Sequence, residues 1–394
     1  MAKIAILGFG TVGSGVYEVI KNTPSITNRA GESVEVKYIL DIRDFTDHPD
    51  AQLFTKNFDD ILADNEVSVV AEVIGGVNPA YNFTKSALMA GKSVVTSNKE
   101  LVATHGAELL KIAEEKGVHY LFEASVGGGI PLIRPMQHCL AGNDITKIMG
   151  IVNGTTNYIL TKMIKEGSSF AATLAKAQEL GYAESNPAAD IEGIDACRKI
   201  AILSSMVSGR EVNPDEISTE GITNIDLFDV KYANELDCSL KLIAYASIDG
   251  EKVFARVSPM LIPNAHPLSS VEGVFNAAYL TGSSVGDVML YGSGAGKLPT
   301  ASAVVGDIIE IVRGISEKAR TMWVASSGSI TPIEETSSSA LIRAKDDFKI
   351  EGARRIDVGI EGEAGFLLDN ASEAALAAIS RRDGFIKLIR RMDV

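Results

Sequence analysis

Residues 3–7 form a short apolar run that ends in Gly8-Phe9-Gly10-Thr11-Val12-Gly13, and a helical pattern follows through Val12, Val16, Val19 and Ile20. No other stretch restricts the fold as much. A G-x-G-x-x-G placed between a first strand and a helix marks a dinucleotide-binding βαβ unit. Gly8 allows the tight turn, Gly10 lets the backbone approach a pyrophosphate, and Gly13 lets the helix sit close to the strand. The helix N-terminus then faces the phosphates. A glycine-rich turn that binds nothing is the competing reading.

The following segments repeat the strand-and-loop pattern. Residues 34–40 read as a second strand ending near Asp41 and Arg43. An acid there bonds the adenine ribose diol of NAD, whereas an Arg holds the 2′-phosphate of NADP. Both occur here, so the residues leave NAD and NADP open. Residues 67–74 (VSVVAEVI) are a near-continuous apolar run, as in a parallel strand covered on both faces. Residues 93–96 lead to Lys99, which can reach a cofactor or an anionic substrate from a strand end, or can be an exposed loop lysine. Residues 119–122 are a fifth strand, followed by Glu123, Val126 and Gly127-Gly128-Gly129-Ile130. Those glycines leave carbonyls free to turn toward a ligand or cation, or form a hinge.

From residue 145 the character changes. ITKIMGIV reads as a strand, residues 158–164 as helical, and Ser168 or Ser169 caps a further helix that Gly181 ends. Residues 236–246 read as a helix and residues 251–290 as antiparallel strands with Gly and Pro turns. A second glycine-rich loop runs from Gly292 to Gly296, with Thr300 as the cap of a helix to about Arg313. Beyond about Ala319 comes a separate piece. Residues 355–360 and 385–391 read as strands there, residues 374–381 as a helix, and Asn370 with Glu373 as its capping box. The fold class is therefore α/β: a Rossmann-type parallel-sheet domain (1–130 with 298–318), an α+β substrate and dimerisation domain with a mixed sheet (131–297), and a small C-terminal α+β appendage (319–394) for regulation or assembly.

The net charge of −14, spread along the chain, argues against nucleic acid and anionic membranes as partners. Cys139, Cys197 and Cys238 are far apart and odd in number, as in a reducing compartment, and the five His show no zinc spacing. Met1 runs straight into KIAILG and no apolar run reaches the length of a membrane span. A cytoplasmic chain is expected.

Chemistry concentrates in residues 177–199, AQELGYAESNPAADIEGIDACRK. Asp195 and Lys199 stand four apart and share a helix face, and the apolar IAILSSMV from Ile200 buries that helix. A lysine at the mouth of a buried helix, flanked by carboxylates, is a candidate proton carrier. On an exposed helix the same pair would be a salt bridge contributing about 0.3–0.5 kcal/mol.

Taken in order, the stretches ILGFGTVGSGV, EVIGG, VVTSNKEL, EASVGGGIP, GIVNGTTNYIL, 177–199 and YGSGAGKLPTASAVVGD resemble homoserine dehydrogenase over residues 1–318. The most specific is A-x₃-G, an acidic loop, then D-x₂-G-x-D-x₃-K, at Ala177, Gly181, Asp190, Gly193, Asp195 and Lys199. The resemblance implies reversible reduction of L-aspartate 4-semialdehyde to L-homoserine with NADH or NADPH, in threonine and methionine biosynthesis. It implies Lys199 as general acid/base, Lys99 near nicotinamide and substrate, and Glu184, Asp195 and Asp190 as substrate-binding carboxylates. Gly10, Thr11, Val12 and Gly296 become nucleotide contacts, beside Gly8, Gly13 and Arg43. Glu123, Val126, Gly128 and Ile130 become a site for Na⁺ or K⁺ built largely from carbonyls. A homodimer joined through the second domain's sheet is implied as well. Many relatives end in a regulatory ACT domain with a D-x-P-G turn, and the tail here lacks that turn.

For Lys199 to trade protons near neutral pH its pKa must fall, through burial and a nearby cation such as Lys99, against the pull of neighbouring carboxylates. Two other readings compete: another Rossmann oxidoreductase, such as an aspartate dehydrogenase, and a cofactor-binding sensor without activity. Reduction of nicotinamide by homoserine but not by aspartate separates the first from homoserine dehydrogenase, and the intact Glu184, Asp195 and Lys199 argue against the sensor.

Overall fold

The computed structural model describes residues 1–314, 322–328 and 330–393. Its first sheet contains β1 (Ala2–Leu7), β2 (Val34–Leu40), β3 (Phe54–Thr55), β4 (Val67–Glu72), β5 (Ser93–Thr96) and β6 (Tyr120–Leu121). The order is β3-β2-β1-β4-β5-β6 and every pairing is parallel. The short β3 is a sixth strand beyond the five read from the sequence. Chain direction across the sheet reverses between β1 and β4, so their carboxyl ends open the crevice where such sheets bind ligands. The Gly8 turn and the Gly75–Gly76 loop lie at those two ends.

A late segment returns to this half. Ala301, Val304, Val305 and Ile308 of helix Lys297–Val312 share one apolar cluster with Ile4, Ile6, Val16 and Val69. Gly15 of helix Thr11–Asn22 permits the contact, because a Cβ there would stand 2.8 Å from the Lys297 carbonyl. The returning helix is capped by Gly296 at φ +122°, not by Thr300, which lies inside it.

The second sheet begins with β7 (Ile145–Ile151), β8 (Ser218–Thr219), β9 (Cys238–Asp249), β10 (Lys252–Pro263), β11 (Phe275–Gly282) and β12 (Gly286–Ser293). The tail adds β13 (Ser337–Lys345), β14 (Arg354–Ile356), β15 (Glu363–Ser372) and β16 (Phe385–Arg391). The order is β12-β11-β7-β9-β10-β16-β13-β15-β14, with β8 also beside β10.

Three expectations change here. Residues 238–249 are strand, not helix: Cys238, Leu240, Leu242, Ala244, Ala246 and Ile248 alternate into the main core, while Ile243 faces a second cluster with Met149 and Met260. The tail continues the sheet of the second half through the β10–β16 pairing, where a free-standing piece was expected. Its helix, Glu373–Ser380, is capped by Ser372, whose Oγ accepts from the Ala375 N–H at 3.2 Å; Asn370 instead takes φ +47° within β15. The expected boundary at Ala319 lies outside the described residues.

Helix Ile194–Ser208 carries Asp195 and Lys199 of the acidic stretch. It is entered through Gly193 at φ +84° and left through Gly209 at φ +69°, both in the left-handed region. It is buried nearly all round, as its apolar composition requires. Among the described residues no helix is long and apolar enough to cross a membrane.

Candidate active site

Lys99 is positioned by a buried polar chain. It opens helix Lys99–Lys116, whose cap Asn98 accepts from the Leu101 N–H through Oδ1 at 3.1 Å and donates from Nδ2 to the Gly76 carbonyl at 2.6 Å. The Asn98 N–H donates to Thr96 Oγ1 at 2.9 Å, and the Thr96 hydroxyl donates to Glu72 Oε2 at 2.7 Å. Glu72 Oε1 accepts from the Ile74 N–H at 2.8 Å. Glu72 is fully buried at the end of β4 and ties two ligand loops together. Nothing in the run 67–74 marked it, because a single acid within an apolar strand looks like an edge.

Lys199 approaches from the other half. Its Nζ donates to the Val152 carbonyl at 2.6 Å and to Asp195 Oδ2 at 2.7 Å. Lys99 Nζ lies 2.5 Å from Asp195 Oδ1. Asn153, the cap of helix Gly154–Glu166, donates from Nδ2 to Asp195 Oδ2 at 2.9 Å and to Asp190 Oδ1 at 2.7 Å. Arg198 Nη2 donates to Glu100 Oε1 at 2.9 Å and fastens the two lysine-bearing helices. The structure thus brings together Lys99, Asp190, Asp195 and Lys199. Glu184 stands on the exposed loop beyond helix Phe170–Glu179, its carbonyl accepting from Gln178 Nε2 at 3.0 Å.

The electrostatics separate the two lysines. Burial pushes the Lys199 pKa down; Asp195 pulls it up and the charge of Lys99 pushes it down again, and it settles below the ordinary lysine value. For Lys99 burial also works downward, but Asp195 outweighs it and the pKa rises. Burial works to raise the pKa of Asp195, yet the two ammonium groups hold it well below the usual carboxylate range. Asp190 moves up, mainly by burial, with the Asn153 hydrogen bond opposing and the Asp195 charge assisting. A site that drives two like groups apart in pKa gives them different tendencies to hold a proton, Lys199 the weaker and Lys99 the stronger.

The glycine turn leaves one side open. Gly8 takes φ +95° and donates its N–H to the Leu40 carbonyl at 2.8 Å. Gly13 lies so close to this turn that a Cβ would overlap the Gly8 carbonyl, whereas a Cβ on Gly10 would meet nothing within 4 Å. Gly10 is thus the open side, at the cap of the helix that begins with Thr11 and Val12. At the end of β2, Asp41 Oδ2 accepts from the Phe9 N–H at 2.7 Å and from Arg43 Nη2 at 2.8 Å, while Oδ1 accepts from Arg43 Nε at 3.0 Å. The Arg43 bonds hold the Asp41 carboxyl well below the usual range. Asp41 is 7 % exposed and Arg43 56 %, so the guanidinium is what this rim presents. Gly296 caps the returning helix that Gly15 admits close to helix Thr11–Asn22.

In the 123–130 loop the Glu123 carboxylate is already used. It accepts from the N–H groups of Leu132 (2.6 Å), Ile133 (2.9 Å) and Arg134 (2.7 Å) and from Arg134 Nε at 3.1 Å. Val126 and Ile130 are buried, and Gly128, at φ +55°, packs so tightly that a Cβ would overlap the Gly294 carbonyl. Among the described residues no three His, Cys, Asp or Glu gather as metal ligands.

Comparison with known proteins decides the family. Residues 8–123 match the family model described as homoserine dehydrogenase, NAD binding domain, and residues 131–309 that described as homoserine dehydrogenase. The homoserine dehydrogenase of Bacillus subtilis is 43 % identical over 319 residues, covering 79 % of this chain and 73 % of that protein. That of Corynebacterium glutamicum is 39 % identical over 388 residues, covering 96 % and 84 %. The chain belongs to the homoserine dehydrogenase family. The crystal structure of the homoserine dehydrogenase from Thiobacillus denitrificans superposes with a TM-score of 0.89 at 34 % identity over 100 % of this chain and 98 % of that one. A hyperthermophilic archaeal homoserine dehydrogenase in complex with NADPH gives 0.69 at 31 % identity over 81 % and 99 %. As a homoserine dehydrogenase the chain is an oxidoreductase with a nicotinamide-dinucleotide domain, and Lys99 of the first matched segment meets Asp195 of the second, which also holds Lys199.

Proposed function

We propose that in this homoserine dehydrogenase Lys199 is the group that moves the proton between L-homoserine and L-aspartate 4-semialdehyde. The observation that carries the reading is one buried carboxylate, Asp195, holding two lysines whose pKa values it and burial drive apart. In the oxidation, Lys199 takes the proton of the substrate's C4 hydroxyl, and the O–H electron pair becomes the second bond of the carbonyl as hydride leaves C4. When bound, the nicotinamide takes that hydride and returns it in the reverse direction. Lys99 stays charged, lowers the proton affinity of Lys199 and faces the developing oxyanion. Asp195 orients both lysines, which leaves Asp190 and the exposed Glu184 for the substrate's ammonium group. Replacing Lys199 by Ala is expected to lower turnover by about 10²–10⁴ with nicotinamide-cofactor binding retained. Near-normal turnover in that variant would sink the assignment.

The rim formed by Asp41 and Arg43 favours NADPH, because the acid that would bond a ribose diol is engaged by Arg43 and the exposed guanidinium suits a 2′-phosphate. The NADPH complex of the archaeal relative agrees with that choice. The carbonyls of Glu123, Val126, Gly128 and Ile130 would hold a monovalent cation. A second copy would pack on the second sheet, where Phe275 and Tyr291 are exposed and stacked at 5.3 Å. The reaction belongs to threonine and methionine biosynthesis.

A further inference from the structure

We infer that the C-terminal strand β16 acts on the active site: Arg390, through Glu220, is a positioning residue for the segment that carries Asp190 and for the helix start that carries Asp195. The inference rests on the reading of those carboxylates given above. One edge of β10 is shared by two short partners. β8 pairs with it at Arg256↔Ser218 and Val257↔Thr219, and β16 pairs a few residues on, with Arg390 opposite Met260. Arg390 donates from Nε and Nη2 to Glu373 at 2.9 and 2.8 Å and from Nη1 to Glu220 at 2.5 Å. Glu373 is fixed in turn by Arg256 Nη1 at 2.9 Å and Ser338 Oγ at 2.7 Å. Arg390 and Glu373 are buried, and a bidentate guanidinium–carboxylate pair has a set direction. The remaining arm therefore reaches Glu220 from a rigid base.

From Glu220 onward the path is main chain. The Glu220 N–H donates to the Val257 carbonyl at 2.8 Å, and the Ile222 N–H donates to the Ile191 carbonyl at 2.8 Å. Gly221 lies against residues 191–192 so closely that a Cβ would overlap the Ile191 carbonyl. A Cβ on Gly193, the cap of helix Ile194–Ser208, would come within 3.1 Å of Thr219 and 3.2 Å of Val257. Asp190 precedes Ile191 directly, and Asp195 lies two residues past Gly193. Residues 219–222 are thus the bed of the acidic stretch, and Arg390 fastens that bed from the tail. The Glu220 side chain is 45 % exposed, so its ion pair contributes little to global stability while it sets local position.

The test is the steady-state kinetics of Glu220→Gln, Arg390→Lys and the double variant. The Michaelis constant for homoserine is expected to rise about three- to tenfold, since small displacements of binding groups are felt strongly at a reacting centre. Turnover should stay within about twofold, nicotinamide-cofactor affinity should be unchanged, and the double variant should be no worse than the worse single one. An unchanged Michaelis constant in Glu220→Gln overturns the inference. So does additivity of the two substitutions, or a parallel loss of cofactor affinity and melting temperature, which would mark general loosening. Asp190→Asn and Asp195→Asn tell this failure from failure of the site reading. If Asp190→Asn leaves homoserine binding unchanged and Asp195→Asn leaves the pH dependence of oxidation in place, the reading of the carboxylates falls; if Asp190→Asn weakens binding and Glu220→Gln does not, only the positioning role falls.

Discussion

Two helix starts from opposite halves of the molecule bring a lysine to the same aspartate, and they use it differently. Lys99 opens a helix at the carboxyl end of a parallel strand, with its side chain 40 % exposed. Lys199 lies one turn into a helix buried on nearly every side, with its side chain 10 % exposed. Both touch Asp195, so attraction to that carboxylate cannot distinguish them. Burial and the charge of Lys99 do, because together they outweigh the pull of the shared carboxylate on Lys199, whereas for Lys99 the carboxylate wins over burial. The lesson is that a carboxylate beside a lysine fixes its place without fixing its protonation state. The depth at which the lysine is set and the cation beside it decide that.

The sharpest break in this comparison is to remove each lysine in turn. Lys199→Ala should cost about 10²–10⁴ in turnover, the usual contribution of a general acid or base. Lys99→Ala should cost less, about 10–100-fold in kcat/KM, the loss of a charge-assisted contact without the loss of the proton carrier. Steady-state kinetics of both decides it, and equal losses would mean the lysines act as one unit. Asp195→Asn comes next. It removes the group that raises the pKa of Lys199, so the rise of homoserine oxidation with pH should move to lower pH than in the parent protein. A shift to higher pH would show that Asp195 does not govern Lys199. The smallest effect belongs to the rim. Arg43→Ala should raise the Michaelis constant for NADPH about tenfold and leave that for NADH nearly unchanged, as the loss of one charged hydrogen bond predicts.

Much of this was readable in the residues, and what was not has a physical reason. The glycine turn was legible because Gly8 at positive φ and Gly13 against the Gly8 carbonyl are local demands of one backbone stretch. Asp195 and Lys199 were legible because four-residue spacing places side chains together on any helix. Lys99 beside Asp195 is a contact across 96 positions that no periodicity encodes; the residues offered Lys99 only as a strand-end lysine, and the resemblance placed it near nicotinamide and substrate without naming Asp195. Asn153, which bridges Asp190 and Asp195, was quoted within a motif but not given a role. Residues 238–249 misled because Leu240, Ile243, Ala244 and Ala246 satisfy a helical period as well as an alternating one. Twelve paired residues between β9 and β10 decide the matter, and that pairing is not a local property. The tail misled for the same reason: the pairing of Arg390 and Arg391 with Met260 and Leu261 joins segments 130 residues apart.

The central claim is that Lys199 carries the proton with a pKa lowered by burial and by the charge of Lys99. Its most direct test is the pH dependence of kcat/KM for homoserine oxidation in Lys99→Met beside the parent protein. In the parent, activity should rise with pH to a plateau as Lys199 loses its proton, with the midpoint below the ordinary lysine value. In Lys99→Met the opposing cation is gone and Asp195 acts on Lys199 alone, so the midpoint should move to higher pH. A midpoint that stays in place, or moves to lower pH, would contradict the account.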